Sequence, residues 1–241
     1  MSKRLWIIIA LLALGLGIVY KVQSGNSTNN SSSSTSGTKH IQGLGSSGVT
    51  LIEYGDYQCP YCAEYYPFVK EVVAKYNDKI SFQFKNYPLA QVHQNAFAAA
   101  RAAEAAGLMG KFWEMHDLLY EQNIAQINNK KTPSWVTASN PQTYFDAYAK
   151  SLGLDVAKFD SNFSGSQAND LINGDINQFN KTGAQEATPT FFLDGKQIQP
   201  KASAESIDAF IKAEIDKKQG KNSTAPASSS GGNQSVQPTK K

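Results

Sequence analysis

The sequence predicts an α/β domain in which a βαβ half and a ββα half are separated by a long inserted helical subdomain. Two β-favouring runs flank a helical pattern early in the chain, a hairpin signal followed by a helix appears late in it, and the interval between them is helical in its spacing. The chain has 241 residues, of which 41% are apolar and 18% charged, so there is enough apolar material for one packed core. A net charge of +3 gives nucleic-acid binding no compositional support. Much of the positive excess sits at the ends, in Lys3, Arg4 and Lys21 and from Lys217 to Lys241, instead of on one face.

Lys3 and Arg4 precede an uncharged run from Leu5 to Tyr20. Residues 5–22 read as a transmembrane anchor or a signal segment. Their helical length of roughly 25 Å favours an uncleaved anchor, with residues 1–4 in the cytoplasm and the rest of the chain exported. Residues 23–47, rich in Ser, Asn and Gly, read as a flexible tether, because such a composition cannot bury enough apolar surface to offset the entropy of ordering. The folded domain is expected over 48–218, with its helical insert at about 88–184. Residues 219–241 have the composition of a disordered tail.

Val49 to Tyr54 is a nearly continuous β-favouring run and fits a central strand. A helix follows from Cys59 as N-cap and Pro60 as first helical residue, with Tyr65, Phe68, Val69, Val72, Val73 and Tyr76 at helical spacing and Pro67 expected to kink it. Ile80 to Phe84 alternates as a second strand, which makes the first half a right-handed βαβ unit. Helices are expected over Asn95–Ala106 and Lys111–Gln122, from Asn140-Pro141 toward Leu152, and twice between Asp155 and Thr182. Thr190 to Leu193, the turn Asp194-Gly195 and Lys196 to Ile198 read as a hairpin, and Ser203 caps a last helix to about Lys217.

The chain holds two cysteines, Cys59 and Cys62, in a Cys-Pro-Tyr-Cys motif between the first strand and the first helix. In an oxidising compartment a structural disulfide framework would use more cysteines at wider spacing, and a bridge this short barely constrains the unfolded chain. Zinc fails on ligand count, since His40, His93 and His116 are not paired at finger-like spacing. Redox chemistry remains. The helix N-terminus favours a thiolate at Cys59, expected to be exposed and reactive, whereas Cys62, one turn inside, is expected to be buried and less acidic. His93 and His116 read as structural histidines.

The run from Glu53 through Cys62, the helical stretches Asn95 to Glu104 and Gly110 to His116, and Thr188-Pro-Thr-Phe-Phe-Leu-Asp-Gly195 together resemble the DsbA-like branch of the thioredoxin superfamily, over roughly Val49 to Lys217. That resemblance implies a thioredoxin-like fold and an extracytoplasmic thiol-disulfide oxidoreductase that needs no cofactor or metal. Its substrates would be cysteine-containing exported proteins, and a membrane quinone-linked oxidoreductase would reoxidise it. The family's cis-proline falls on Pro189, so that the backbone at Thr188 would pair with substrate. Glu53 matches a buried acid that could move the proton of Cys62, or is a strand-end carboxylate that reaches solvent. Pro60 and Tyr61 tune the redox balance. The best-known member has His where Tyr61 stands, so a weaker oxidant is expected here. A reductase or isomerase, or a non-catalytic binding module of the same fold, are the alternatives.

Overall fold

The apolar run that begins at Val49 becomes the central strand of a five-stranded sheet. The computed structural model describes residues 37–131 and 133–220. The chain divides into two units, Met1–Ser34 and Thr35–Lys241, and the first lies outside the described residues. Among the described residues the second comprises β1 (His40–Gln42), β2 (Val49–Gly55), α1 (Pro60–Lys75), β3 (Ile80–Asn86), α2 (Ala96–Gly107), α3 (Phe112–Asn128), α4 (Gln142–Ser151), α5 (Val156–Ser164), α6 (Ser166–Asn180), β4 (Thr190–Leu193), β5 (Lys196–Ile198) and α7 (Ala204–Lys218).

The strand order is β1-β3-β2-β4-β5. β2 runs parallel to β3 and antiparallel to β4, and this register sets Glu53 between Phe84 on one side and Phe191 on the other. The parallel pair needs a crossover, which α1 supplies, and α1 packs against α3 and α7. One face of the sheet holds the main core, including Leu51, Phe82, Phe84, Met115, Leu119 and Tyr120. The other carries a smaller cluster of Tyr54, Tyr87, Phe179 and Phe192, which seats α6. In α1 the buried face includes Tyr66, Val69, Val72 and Val73, and Pro67 lies inside the helix without ending it. Asp194 and Gly195, with φ of 47° and 79°, give the hairpin both left-handed residues that a tight two-residue turn requires.

Two expectations are corrected. The flexible tether of residues 23–47 does not reach residue 47. His40 to Gln42 pair with β3 as an antiparallel edge strand, and Thr38 is buried. Buried carboxylates rather than apolar side chains bind this segment. Thr38 donates from its backbone N–H and its hydroxyl to Asp175 at 2.8 and 2.7 Å, and the His40 ring, stacked on Phe112, lies 2.9 Å from a Glu104 oxygen. The rest of that tether, residues 23–36, lies outside the described residues. The second correction concerns the membrane. Among the described residues no helix is long and apolar enough to cross a membrane, so the transmembrane, signal-anchor reading has no structural support. The segment that prompted it, residues 5–22, lies outside the described residues, as do residues 1–4 and most of the expected tail.

Asp175, fully buried, also accepts from the Asn86 N–H at 2.9 Å and from the Lys85 ammonium at 3.2 Å. This carboxylate ties α6, β3 and the segment before β1 together. Replacing it strands a buried ammonium and several donors, so Asp175→Ala is expected to lower the unfolding free energy by about 3–5 kcal/mol in chemical denaturation. A loss below about 1 kcal/mol would contradict this.

Candidate active site

The chain leaves β2 through a turn that a side chain at residue 55 would block. A Cβ on Gly55 would lie 2.5 Å from the Phe84 ring and 2.8 Å from the Tyr120 hydroxyl. Asp56 then organises the turn. Its carboxylate accepts from the backbone N–H of Gln58 at 2.7 Å and of Leu89 at 2.9 Å, and it pairs with His93 Nδ1 at 2.8 Å. Its carbonyl accepts from the Cys59 N–H at 3.1 Å, and its own N–H points to the Cys62 sulfur at 3.4 Å. Asn123 donates to the Tyr57 carbonyl at 2.8 Å, and the Gln58 side chain bridges Val136 and Asn95. The insert helices therefore hold the turn from outside.

Cys59 is the N-cap of α1, with Pro60 next, where the missing proline N–H costs no hydrogen bond. Both cysteines are free thiols. Cys62 is buried and its thiol is held well above the ordinary range, first by burial and then by its hydrogen bond with Cys59. That hydrogen bond is also the main reason the Cys59 thiol is lowered to about 6. Contacts from Thr188 and the Cys62 backbone lower it further, against burial and the charge of Asp56. Cys59 is not exposed as expected. Only 4% of it reaches solvent, because Thr188 lies against it, with the sulfur 3.4 Å from the Thr188 carbonyl oxygen.

The Thr188-Pro189 bond is cis. Thr188 and Pro189 line a cleft of about 450 Å³ with Tyr61, Tyr65 and the polar side chains of Gln185 and Gln197. Pro60 and Tyr61 face outward beside the sulfur, and Tyr61 is 66% exposed. Glu53 is buried, which decides between its two readings against a solvated carboxylate. Burial raises it to about 8, with a further push from Cys59, and its Oε1 has no hydrogen-bond partner. It is thus a proton-holding acid at neutral pH within electrostatic reach of both sulfurs. Among the described residues no group of three or more His, Cys, Asp or Glu side chains could hold a metal ion.

The fold therefore brings Glu53, Cys59, Cys62, Thr188 and Pro189 together, with Pro60 and Tyr61 on the rim. Asp56 and His93 were not expected here. Asp56 could have been suspected from its position three residues before Cys59, at the first place of a turn, where Asp commonly accepts from the backbone two residues on. His93 gives no such signal, since its partner is 37 residues away. Its ring is held above the ordinary range, first by the hydrogen bond with Asp56. His116, by contrast, is buried among aromatic rings and lowered to about 3, first by that burial, so it is neutral at physiological pH.

A family model described as Thioredoxin matches residues 35–213. Among solved structures, the chain is similar to a thioredoxin-like oxidoreductase from Silicibacter pomeroyi, with 20% identity and a TM-score of 0.57, covering 76% of this chain and 92% of that one. It is also similar to oxidised BdbD from Bacillus subtilis, with 24% identity and a TM-score of 0.56, covering 74% and 91%. MdbA, a thiol-disulfide oxidoreductase from Actinomyces oris, matches at 18% identity and a TM-score of 0.55, covering 71% and 79%. At these identities the likeness is one of fold, the thioredoxin-like fold that the family model also matches. Among curated proteins, a Na(+)/H(+) antiporter NhaA 1 of Salinispora arenicola is 32% identical over 172 residues, 71% of this chain and 24% of that protein. The NhaA 1 of Mycolicibacterium gilvum is 30% identical over 177 residues, 72% of this chain and 26% of that protein. The chain spans about a quarter of the length of these relatives.

Two titrations test this electrostatic arrangement. The Cys59 thiolate, followed by its ultraviolet absorbance, is expected to titrate near pH 6. Cys62→Ala, which removes the main donor, is expected to move that midpoint up toward 9; an unchanged midpoint would contradict the hydrogen-bond account. Because Glu53 is raised, the folded protein keeps a proton that the unfolded chain releases between about 4.5 and about 8, and stability falls as pH rises through that window. Glu53→Gln is expected to gain about 2–3 kcal/mol of stability at pH 7 and little at pH 4. Equal effects at both pH values would mean that the carboxyl is not held neutral.

Proposed function

The chain belongs to the thioredoxin family whose model it matches, and from that premise we propose that it is an extracytoplasmic thiol-disulfide oxidoreductase that donates the Cys59–Cys62 disulfide to exported proteins. The observation that carries this reading is the asymmetry of the pair. One thiol is lowered to about 6 at the helix N-terminus and the other is held well above the ordinary range one turn behind it. A low-pKa sulfur is the better leaving group, and stabilising the reduced thiolate makes the disulfide more oxidising.

In the oxidised protein a substrate thiolate attacks the Cys59 sulfur, the Cys59–Cys62 bond breaks, and a mixed disulfide links substrate to Cys59. Cys62 leaves as a thiolate and takes a proton from Glu53, a reading supported by the burial that keeps that carboxyl protonated at neutral pH. A second substrate thiolate then attacks the substrate sulfur of the mixed disulfide and expels the Cys59 thiolate. The substrate gains a disulfide and loses two electrons, and the protein gains them. Thr188 and Pro189 offer backbone for pairing with an extended segment around the substrate cysteine. No cofactor takes part. Turnover requires an external oxidant, for which a membrane quinone-linked oxidoreductase is the class of partner the family suggests.

Tyr61 carries no charge where a cationic ring would further stabilise the thiolate, which moderates the oxidising power and leaves net reduction or isomerisation of substrate disulfides as the second reading. Oxidation of a two-cysteine peptide by the oxidised protein is expected to be lost in Cys59→Ser. Cys62→Ser is expected to trap the peptide as a mixed disulfide on Cys59 when supplied with an activated disulfide. Retained turnover in Cys59→Ser would overturn the assignment.

A further inference from the structure

We propose that His93 is a positioning residue of the redox pair: its protonated ring offsets the buried Asp56 carboxylate of the turn that presents the Cys59 thiolate, so that charge on the ring and reduction of the disulfide favour each other. This rests on the thiol-exchange reading above and adds the group that balances the charge of the pair. Asp56 is 1% exposed, and among the described residues no Lys or Arg forms an ion pair with it. Its ion-pair partner is His93, 2.8 Å away.

Geometry makes the ring part of the site. Asp56 reaches both cysteines through its backbone, accepting from the Cys59 N–H at 3.1 Å and donating to the Cys62 sulfur at 3.4 Å. The segment that carries His93 is fastened to the same turn on both sides of the ring. Leu89 donates its N–H to Asp56 at 2.9 Å, and Asn95 donates its N–H to the Gln58 side chain at 2.7 Å. The Leu89 carbonyl in turn accepts from the His93 N–H at 2.9 Å.

A buried carboxylate near a thiolate opposes it, and a cation on that carboxylate offsets the opposition. With 19% of its side chain exposed, His93 can exchange protons with solvent, as the buried His116 cannot. The charged groups that act on the ring are Asp56 and Cys59, and both make it more basic, first through the hydrogen bond with Asp56. The insert meets this turn with uncharged groups, the Val136 carbonyl on Gln58 and the Trp135 carbonyl on Asn95. Around Cys59, Asp56 is opposed to the thiolate, while Cys62 and Glu53 hold protons at neutral pH.

Reduction of the pair takes two electrons from substrate thiols and breaks the Cys59–Cys62 bond. Cys62 takes one proton and Cys59 keeps a negative charge, which favours a second proton from solvent on the His93 ring. The ring is a cation below its raised midpoint and loses its effect as pH rises through it. His93 thus supplies, from the segment before α2, the positive charge that Tyr61 does not.

The test uses the full chain. The ring resonance of His93, assigned by its absence in His93→Asn, is followed against pH by NMR in the oxidised and in the dithiothreitol-reduced protein. Its proton affinity is expected to be roughly threefold to tenfold higher in the reduced protein. Equal midpoints would overturn the proposal. The Cys59 thiolate is then titrated by its absorbance in variants. His93→Asn keeps a side-chain donor in place of Nδ1 without the charge, and is expected to raise the proton affinity of Cys59 by a similar factor. Asp56→Asn should lower it, and the double variant should return close to the wild type, because the two charges cancel. A wild-type midpoint in His93→Asn would make the ring a neutral donor and overturn the proposal, as would shifts in the same direction in the two single variants. A wild-type pair that dithiothreitol cannot reduce and oxidised glutathione cannot reoxidise would instead refute the thiol-exchange reading itself.

Discussion

The hydrogen bond from the Cys62 thiol to the Cys59 sulfur is the contact on which the rest of this site depends. It is the largest influence that lowers Cys59, and it exists because α1 begins at Cys59 and turns Cys62 inward beneath it. Burial alone would raise both thiols. The helix start turns two identical groups into unequal ones: a sulfur that carries charge and a sulfur that holds a proton. Disulfide exchange uses that inequality when the mixed disulfide is resolved, since the Cys59 sulfur then leaves easily while a protonated Cys62 does not compete for it.

The surroundings both support and oppose that inequality. Asp56 opposes the charge on Cys59, yet its carboxylate gathers the N–H groups of Gln58 and Leu89 and the His93 ring, and without them the turn would not present Cys59 as an N-cap. Glu53, pinned by sheet register between Phe84 and Phe191, avoids adding a second opposing charge only because burial keeps it protonated at neutral pH. His116 contributes no compensating charge, being held neutral among Phe84, Trp113 and Tyr120. The site thus keeps Glu53 neutral and leaves the charge of Asp56 in opposition to Cys59.

Much of this was legible in the sequence. Strand periodicity, the Cys-Pro start of α1 and the Asp-Gly turn are local signals, and the elements they predicted lie within a few residues of where the structure has them. The position of Glu53 in an apolar strand was legible too, but not its burial, which follows from which strands flank it. What the sequence hid was long-range. Nothing local in the Gly- and Ser-rich stretch announces that Thr38 meets Asp175, 137 residues away, or that His40 meets Glu104. Composition therefore read as a tether what buried polar contacts make into a strand. The cover over Cys59 was hidden for the same reason, since Thr188 is 129 residues distant.

The reduction potential of the Cys59–Cys62 pair, measured by equilibration with glutathione, tests the central claim most directly. A thiolate stabilised by Cys62 but lacking a cationic neighbour at Tyr61 should give a value between about −120 and about −270 mV, the range from a strong disulfide donor to a cytoplasmic dithiol reductant. A potential at or below about −270 mV would contradict the account, because the reduced pair would then gain no stabilisation from the charge held on Cys59.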